Sequence, residues 1–313
     1  MQPCYPHEFI MQPYRHHPDV LEARLTAFER DTELFAAGNL AARAVALDAI
    51  QQVYQLLQLH RRDAQWGRHV RSLTQQAKAL ETRLRQADAD CFHTLRQRIR
   101  SGDLSAPMLR QLFDSHTPYS PCRLGQIHRG YDTLDALVQG LLRAEQAPTA
   151  GERRDIDMIP YEPTPARVIL ELVDQVQLHA DDTFYDVGAG LGHVTILVHL
   201  LTGATARGVE IEAVYCQHAR HCAEELGLSK VSFLNDDARD VDYAEGTVFF
   251  MYTPFTGTVL EAVLAALAHQ ARRRTITLCT YGACTFEVAQ QPWLRLRHAE
   301  AYHAYALAVF TSC

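Results

Sequence analysis

Apolar positions follow two different periods along this chain. From about residue 19 to 142, Leu, Ala, Gln and Arg dominate, and apolar residues recur at helical spacing. Val70, Leu73, Ala77, Leu80, Leu84, Ala87 and Cys91 alternate steps of three and four, which places all of them on one helical stripe. A second stripe, Leu47, Ile50, Val53, Tyr54 and Leu57, precedes it, with residues 59–67 as the turn between. Two such stripes predict a long antiparallel helical hairpin with shorter helices on either side. Residues 105–107 and 115–122 read as loops from their Pro and Ser content, and 131–142 as the last helix of this half.

Beyond residue 160 the pattern changes to short apolar runs separated by helical stretches. A helix is expected at 164–176, with Thr164 suited to the N-cap and Pro165 to the first turn. Strand-like runs follow at 183–186, 206–210, 231–234, 247–252 and 275–280. Helices are expected directly after the first run, at 213–226 with Gly227 as C-cap, and at 258–270. The chain ends with two more strand-like runs, 293–298 and 304–311. This alternation predicts a parallel sheet with helices on both faces. Residues 146–155 are polar and aperiodic, so the expected division is a helical domain at 1–150 and an α/β domain at 151–313. No internal repeat or low-complexity tract interrupts either half.

The first strand-like run ends in Asp186, and Gly188, Gly190 and Gly192 follow at alternate positions before the next helix. Glycines let the chain turn sharply and let a ligand approach main-chain N–H groups at a helix N-terminus. The dinucleotide fingerprint Gly-x-Gly-x-x-Gly places its third glycine one residue later. A carboxylate two residues before the first glycine repels a pyrophosphate and suits a cationic ligand with an amino group.

With these residues the chain resembles the class I S-adenosylmethionine-dependent methyltransferases. The resemblance continues in Gly208-Val209-Glu210, where that family uses an acidic residue to hold both ribose hydroxyls, and in Asn235-Asp236-Asp237-Ala238 after the third strand. It implies an α/β, Rossmann-like methyltransferase sheet with an antiparallel terminal strand, preceded by an all-α N-terminal domain. It implies S-adenosyl-L-methionine as cofactor, held by Tyr161, Asp186, Gly188, Ala189, Gly190, Glu210, Ile211, Asp237, Ala238 and Tyr252. Asp237 would accept from the adenine amino group and Ala238 would offer its backbone. The phrase from Phe184 to Val194 also looks like the histone-lysine methyltransferases of the telomeric-silencing-disruptor type, without their Asn-containing segment after the fourth strand. That likeness is local and carries no histone substrate with it.

Tyr252-Thr253-Pro254-Phe255 stands where methyltransferases place residues that meet the transferring methyl. It shares only Pro254 with the Asn-Pro-Pro-Tyr of amino-group methyltransferases, so the side-chain carbonyl that positions an amine is missing. Tyr252 and Tyr161 are the candidate catalytic residues, Tyr252 through its ring facing a sulfonium cation; a packing role is the alternative for each. His193 is expected to point into its helix, and Tyr131, Tyr161, Tyr281 and Asp236 are candidate bases by position. The expected reaction is methyl transfer, an in-line displacement governed by alignment and water exclusion, with a small molecule as acceptor. The alternative is a methyltransferase-like enzyme that consumes S-adenosylmethionine itself, cyclising it to azetidine-2-carboxylate or acting as a lyase, with release of methylthioadenosine. The helical half is expected to supply an acceptor pocket and a lid.

Composition narrows the setting further. The 313 residues are 47% hydrophobic and 21% charged with a formal charge of −7, which disfavours a nucleic-acid-coating protein. Ten Lys/Arg against four Asp/Glu between residues 61 and 100 read as a solvated helix face, with steering of an anionic substrate as the sharper alternative. The N-terminus lacks a basic region followed by an apolar run, and no stretch approaches the ~20 apolar residues of a membrane span, so a cytoplasmic protein with no membrane partner is expected. A homodimer is the assembly considered. The eight cysteines include no Cys-x-x-Cys and the sixteen histidines no His-Glu-x-x-His, so no metal is expected. The close pairs Cys216 with Cys222 and Cys279 with Cys284 read as buried thiols, and His16, His17, His218 and His221 as solvated.

Overall fold

The computed structural model describes residues 17–36, 38–63, 66–116, 130–147, 151, 157–297 and 303–313. The chain separates into two compact units, residues 1–93 and 94–313.

In the first unit the expected hairpin forms. Helix α1 (Pro18–Arg30) precedes α2 (Leu40–Leu59), which turns into the 34-residue α3 (Gly67–Arg100). Ile50, Val53 and Leu57 of α2 share one buried cluster with Leu73, Ala77, Leu80 and Leu84 of α3 and with Leu21 and Leu25 of α1. The pairs across the hairpin run in opposite directions: Arg43 with Asp88, and Tyr54 donating to Glu81 at 2.9 Å. Arg43 is fully buried and satisfied, because its guanidinium also donates to the carbonyls of Leu34 and Ala36. Burial of such a cation requires these partners.

In the second unit, α4 (Ala106–His116) begins where the sequence suggested a loop. Pro107 lies in its first turn, where the missing N–H costs nothing. The expected loop 115–122 lies outside the described residues beyond His116, as does most of the expected boundary at 146–155. Helix α5 (Thr133–Leu141) carries a capping box of Asp132 and Asp135. Asp135 then reaches α6 (Ala166–Val176), accepting from the Ala166 N–H at 2.7 Å. This corrects the expected Thr164 cap: Pro165 occupies the N-cap position without a side-chain bond, and a carboxylate from another helix supplies the acceptor.

The sheet consists of β1 (Thr183–Val187), β2 (Thr205–Val209), β3 (Val231–Leu234), β4 (Val248–Tyr252), β5 (Thr277–Tyr281), β6 (Leu294–Leu296) and β7 (Ala308–Ser312). Their order is β3-β2-β1-β4-β5-β7-β6, with β7 antiparallel to both neighbours and the other pairings parallel. Helices α7 (His193–Thr202), α8 (Ala213–Leu226) and α9 (Gly257–Ala271) connect the parallel strands, and the short α10 (Cys284–Val288) follows β5. Alternate strand residues face opposite sides: Tyr185, Val187, Phe249, Met251 and Leu278 join Val259, Val263 and Leu267 of α9 in one core. Strand order reverses between β1 and β4, and ligands of such sheets bind outside the carboxyl ends at that switch. Among the described residues no helix is long and apolar enough to cross a membrane.

Candidate active site

A cavity of about 410 Å³ opens at that switch point, lined from the ends of β1, β2, β4 and β5 and from the segment before α6. Small-molecule sites span roughly 300–1,000 Å³.

The glycine turn forms one wall. Gly188 and Gly190 both have positive φ, +86° and +52°, and both are approached closely. A Cβ on Gly188 would lie 2.2 Å from Pro254, and one on Gly190 2.2 Å from the Tyr161 ring. Ala189 closes the turn, its N–H donating to the Val209 carbonyl at 2.8 Å.

Two carboxyl groups are buried behind this turn. Asp186 is 2% exposed and accepts from the Thr195 hydroxyl at 2.8 Å. Burial pushes its carboxyl up from 3.8 to about 7, against the pull of that hydrogen bond. Glu210, just past β2, accepts from the N–H of Gly190 at 2.7 Å and of Glu212 at 2.8 Å. Its carboxyl is also raised by burial, partly offset by these N–H groups. Asn235 donates to the carbonyls of Glu210 and Ile211, both at 2.9 Å, and so ties the end of β2 to the loop after β3. Ile211 is exposed and lines the cavity, while Ala238 is buried and lines it from the β3 side.

Asp237 lines the cavity too, but both of its oxygens are engaged by Arg239, at 3.0 and 2.6 Å. This pairing holds the carboxyl below its ordinary value. Pairing with an adenine amino group would share or displace that contact, a competition invisible when Asp237 is read by position.

Tyr161 and Glu162 reach the cavity because the segment before them is strapped to the loop after β4. Met158 pairs with Phe255, the Ile159 N–H donates to the Pro254 carbonyl at 3.1 Å, and the Asp157 carbonyl accepts from Thr256 at 2.8 Å. Tyr161 packs over Gly190, leans on Tyr215 with ring centroids 5.3 Å apart, and places its hydroxyl 3.1 Å from His193 Nδ1. Burial raises the Tyr161 hydroxyl far above its ordinary range. His193 therefore does not simply point into its helix: it lines the cavity, and its buried Nε2 has no partner among the described residues. Burial pulls its imidazole down to about 4, so it is neutral at physiological pH.

On the other side of the cavity stands Tyr252, which packs on the buried Tyr281, their ring centroids 4.8 Å apart. Burial, together with the nearby Glu162 carboxylate, raises the Tyr252 hydroxyl strongly. Tyr131 donates to the same Glu162 at 3.1 Å and to the Pro163 carbonyl at 2.9 Å. Thr253 holds a left-handed backbone, φ +34°, which a non-glycine residue adopts only under constraint. Its hydroxyl accepts from the Cys284 N–H and donates to the Tyr281 carbonyl, fixing the turn.

All ten residues named from sequence thus lie around this site: nine line or border the cavity, and Gly190 holds the turn beneath Tyr161. Glu162 and Tyr215 were missed, for they carry no motif and acquire their places only through the strap and the helix after β2, and Asn235, although inside the quoted motif, was not singled out. His218 is half-buried with its Nε2 3.1 Å from the Leu142 carbonyl, which corrects its reading as a solvated histidine. Cys216, Cys222, Cys279 and Cys284 are buried free thiols.

Residues 160–249 match the family model described as Histone methylation protein DOT1. That span contains the glycine turn, Glu210 and Asp237 and stops before Tyr252. A protein-lysine N-methyltransferase of Saccharolobus islandicus is 30% identical over 96 residues, which are 30% of this chain and 60% of the relative. The matched region therefore spans less than two thirds of that relative's own length. Among solved structures, an RNA methyltransferase from Salinibacter ruber in complex with S-adenosyl-L-homocysteine aligns at 22% identity, TM-score 0.39, over 48% of this chain and 92% of that one. A precorrin-6y C5,15-methyltransferase from Geobacter metallireducens aligns at 18% identity, TM-score 0.38, over 48% and 88%. The second unit carries a seven-stranded Rossmann-like sheet, and residues 160–249 within it are similar to the DOT1 family.

Proposed function

We propose that this protein is a methyltransferase that uses S-adenosyl-L-methionine to methylate a small molecule. The observation that carries this reading is the pair of buried carboxyl groups, Asp186 and Glu210, gathered about the glycine turn at the sheet's switch point. Such a pair repels a pyrophosphate and suits a ligand bearing an amino group at one end and a vicinal diol further along. The orphaned His193 Nε2 fits the same ligand, since a buried polar atom calls for a partner.

The bound cofactor supplies an electrophilic methyl group on a sulfonium. Asp186 would hold its amino group, Glu210 its ribose hydroxyls, and Ile211 and Ala238 would flank its base. Tyr161 and His193 would meet the amino-acid end, with Tyr161 also covering the turn. Tyr252 would bound the side from which an acceptor approaches, its ring excluding water from an in-line displacement.

Calorimetric titration with S-adenosylmethionine tests the assignment. Saturable binding that S-adenosylhomocysteine displaces is expected. Absence of binding at millimolar concentration would overturn it.

A further inference from the structure

The loop after β3 brings two neighbouring carboxyl groups, Asp236 and Asp237, to the cavity, and the two are not equivalent. Asp237 is consumed locally. Its Oδ1 accepts from the Arg239 main-chain N–H at 2.9 Å and from Nε at 3.0 Å, and its Oδ2 accepts from the same guanidinium at 2.6 Å. Three of the roughly four acceptor positions of a carboxylate are thus filled. Two of those bonds form a charge-assisted fork, the strongest geometry open to a carboxylate. The amino group of a purine is uncharged and supplies one bond, so taking the place of the guanidinium is a net loss.

Asp236 lines the same cavity and is exposed. Its Oδ1 accepts from the Asp237 N–H at 2.9 Å. Among the described residues no Lys or Arg pairs with it, and its second oxygen has no protein donor. That oxygen is therefore open to a ligand.

The loop is anchored on both sides, so the two carboxyl groups cannot trade places. Before them, Asn235 donates to the carbonyls of Glu210 and Ile211, which ties Asp236 to the end of β2, where the exposed Ile211 lines the cavity. After them, the Ala238 carbonyl accepts from the hydroxyl of the buried Tyr243 at 2.8 Å, and the Asp240 N–H donates to the Asp237 carbonyl at 3.0 Å.

We propose that Asp236, in place of Asp237, accepts the amino group of the cofactor's adenine, and that the Asp237–Arg239 pair is a brace that holds the loop for it. The proposal rests on the methyltransferase reading above, in which Ile211 and Ala238 flank the base. Asp236 is then the residue that selects adenine over a 6-oxopurine. A carboxylate offers only acceptors, which suit an amino group and repel an oxo oxygen at the same position.

The test is calorimetry on the full chain with S-adenosylhomocysteine and with S-inosylhomocysteine, which carries an oxo group where adenine has its amino group. The wild type should bind the adenosyl compound at least tenfold more tightly, since a site built to accept an N–H rejects an analogue without one. Asp236→Asn, whose amide can turn a donor toward an oxo oxygen, should shrink that ratio at least fivefold. Asp237→Asn should leave the ratio within twofold, even where a loosened loop lowers both affinities. The ratio compares two ligands on one protein, so a structural loss common to both cancels. A wild-type ratio near one, an unchanged ratio in Asp236→Asn, or a ratio that collapses in Asp237→Asn would each overturn the proposal; the first and third decide it even if Asp236→Asn fails to fold. Failure of the wild type to bind either nucleoside would instead overturn the underlying methyltransferase reading.

Discussion

With Asp186 holding the cofactor's amino group as proposed, cofactor affinity should depend on pH in a defined direction. The Asp186 carboxyl, raised from 3.8 to about 7, is largely protonated in the free protein at mildly acid pH. A ligand that presents an ammonium selects the ionised form, so each pH step below about 7 should weaken binding roughly tenfold per unit. At about pH 5 the loss is about 100-fold, or about 2.7 kcal/mol, and above about pH 7 affinity should level off. Glu210 is also raised by burial and contributes to the same slope, whereas His193, pulled down to about 4, stays neutral through this window. Asp186→Asn separates the contributions: it should weaken binding at neutral pH and flatten the dependence. Stability of the free protein should move the other way. A carboxyl whose folded pKa lies above its unfolded value stabilises the fold fully below about pH 4 and loses that contribution as pH rises through about 7, up to about 4 kcal/mol in all. Calorimetry between about pH 5 and 8, with urea denaturation of both proteins at each pH, measures both effects. A pH-independent affinity in the wild type, or an equal slope in Asp186→Asn, would refute the reasoning.

Two further perturbations follow from the packing. Gly190→Ala places a methyl 2.2 Å from Tyr161 at φ +52°, which adds about 1–2 kcal/mol of backbone strain and displaces the ring; cofactor affinity measured by calorimetry should fall at least tenfold, and unchanged affinity would mean that Tyr161 does not cover the cofactor. Leu80→Ala removes a fully buried side chain from the helical cluster of the first unit and should cost about 2–5 kcal/mol in urea denaturation, with a cost under about 1 kcal/mol arguing against the tight hairpin core.

How much of this was legible in the sequence depends on the distance over which each feature is determined. The hairpin stripes and the glycine turn are local, because three-and-four spacing and a carboxylate-plus-glycine turn specify their own geometry. The antiparallel terminal strand followed from the family resemblance, whereas the order of the strands was not legible in the sequence and is set by their pairing in the fold. What escaped was set by contacts between distant segments. Asp135 caps α6 from 31 residues away. Thr164 looks like a cap only if the helix is read in isolation. Glu162 becomes a site residue because Asp157, Met158 and Ile159 bind the loop after β4, nearly a hundred residues downstream. Asp237 matches its motif, yet Arg239 two residues later competes for it.

The central claim is tested most directly by identifying the nucleoside product. The protein should be incubated with S-adenosylmethionine and a mixture of candidate small-molecule acceptors, and the products resolved by mass spectrometry. The account predicts S-adenosylhomocysteine accompanied by an acceptor heavier by one methylene. Methylthioadenosine as the enzymatic product, with no methylated acceptor, would contradict it and assign the site to a reaction of the cofactor upon itself.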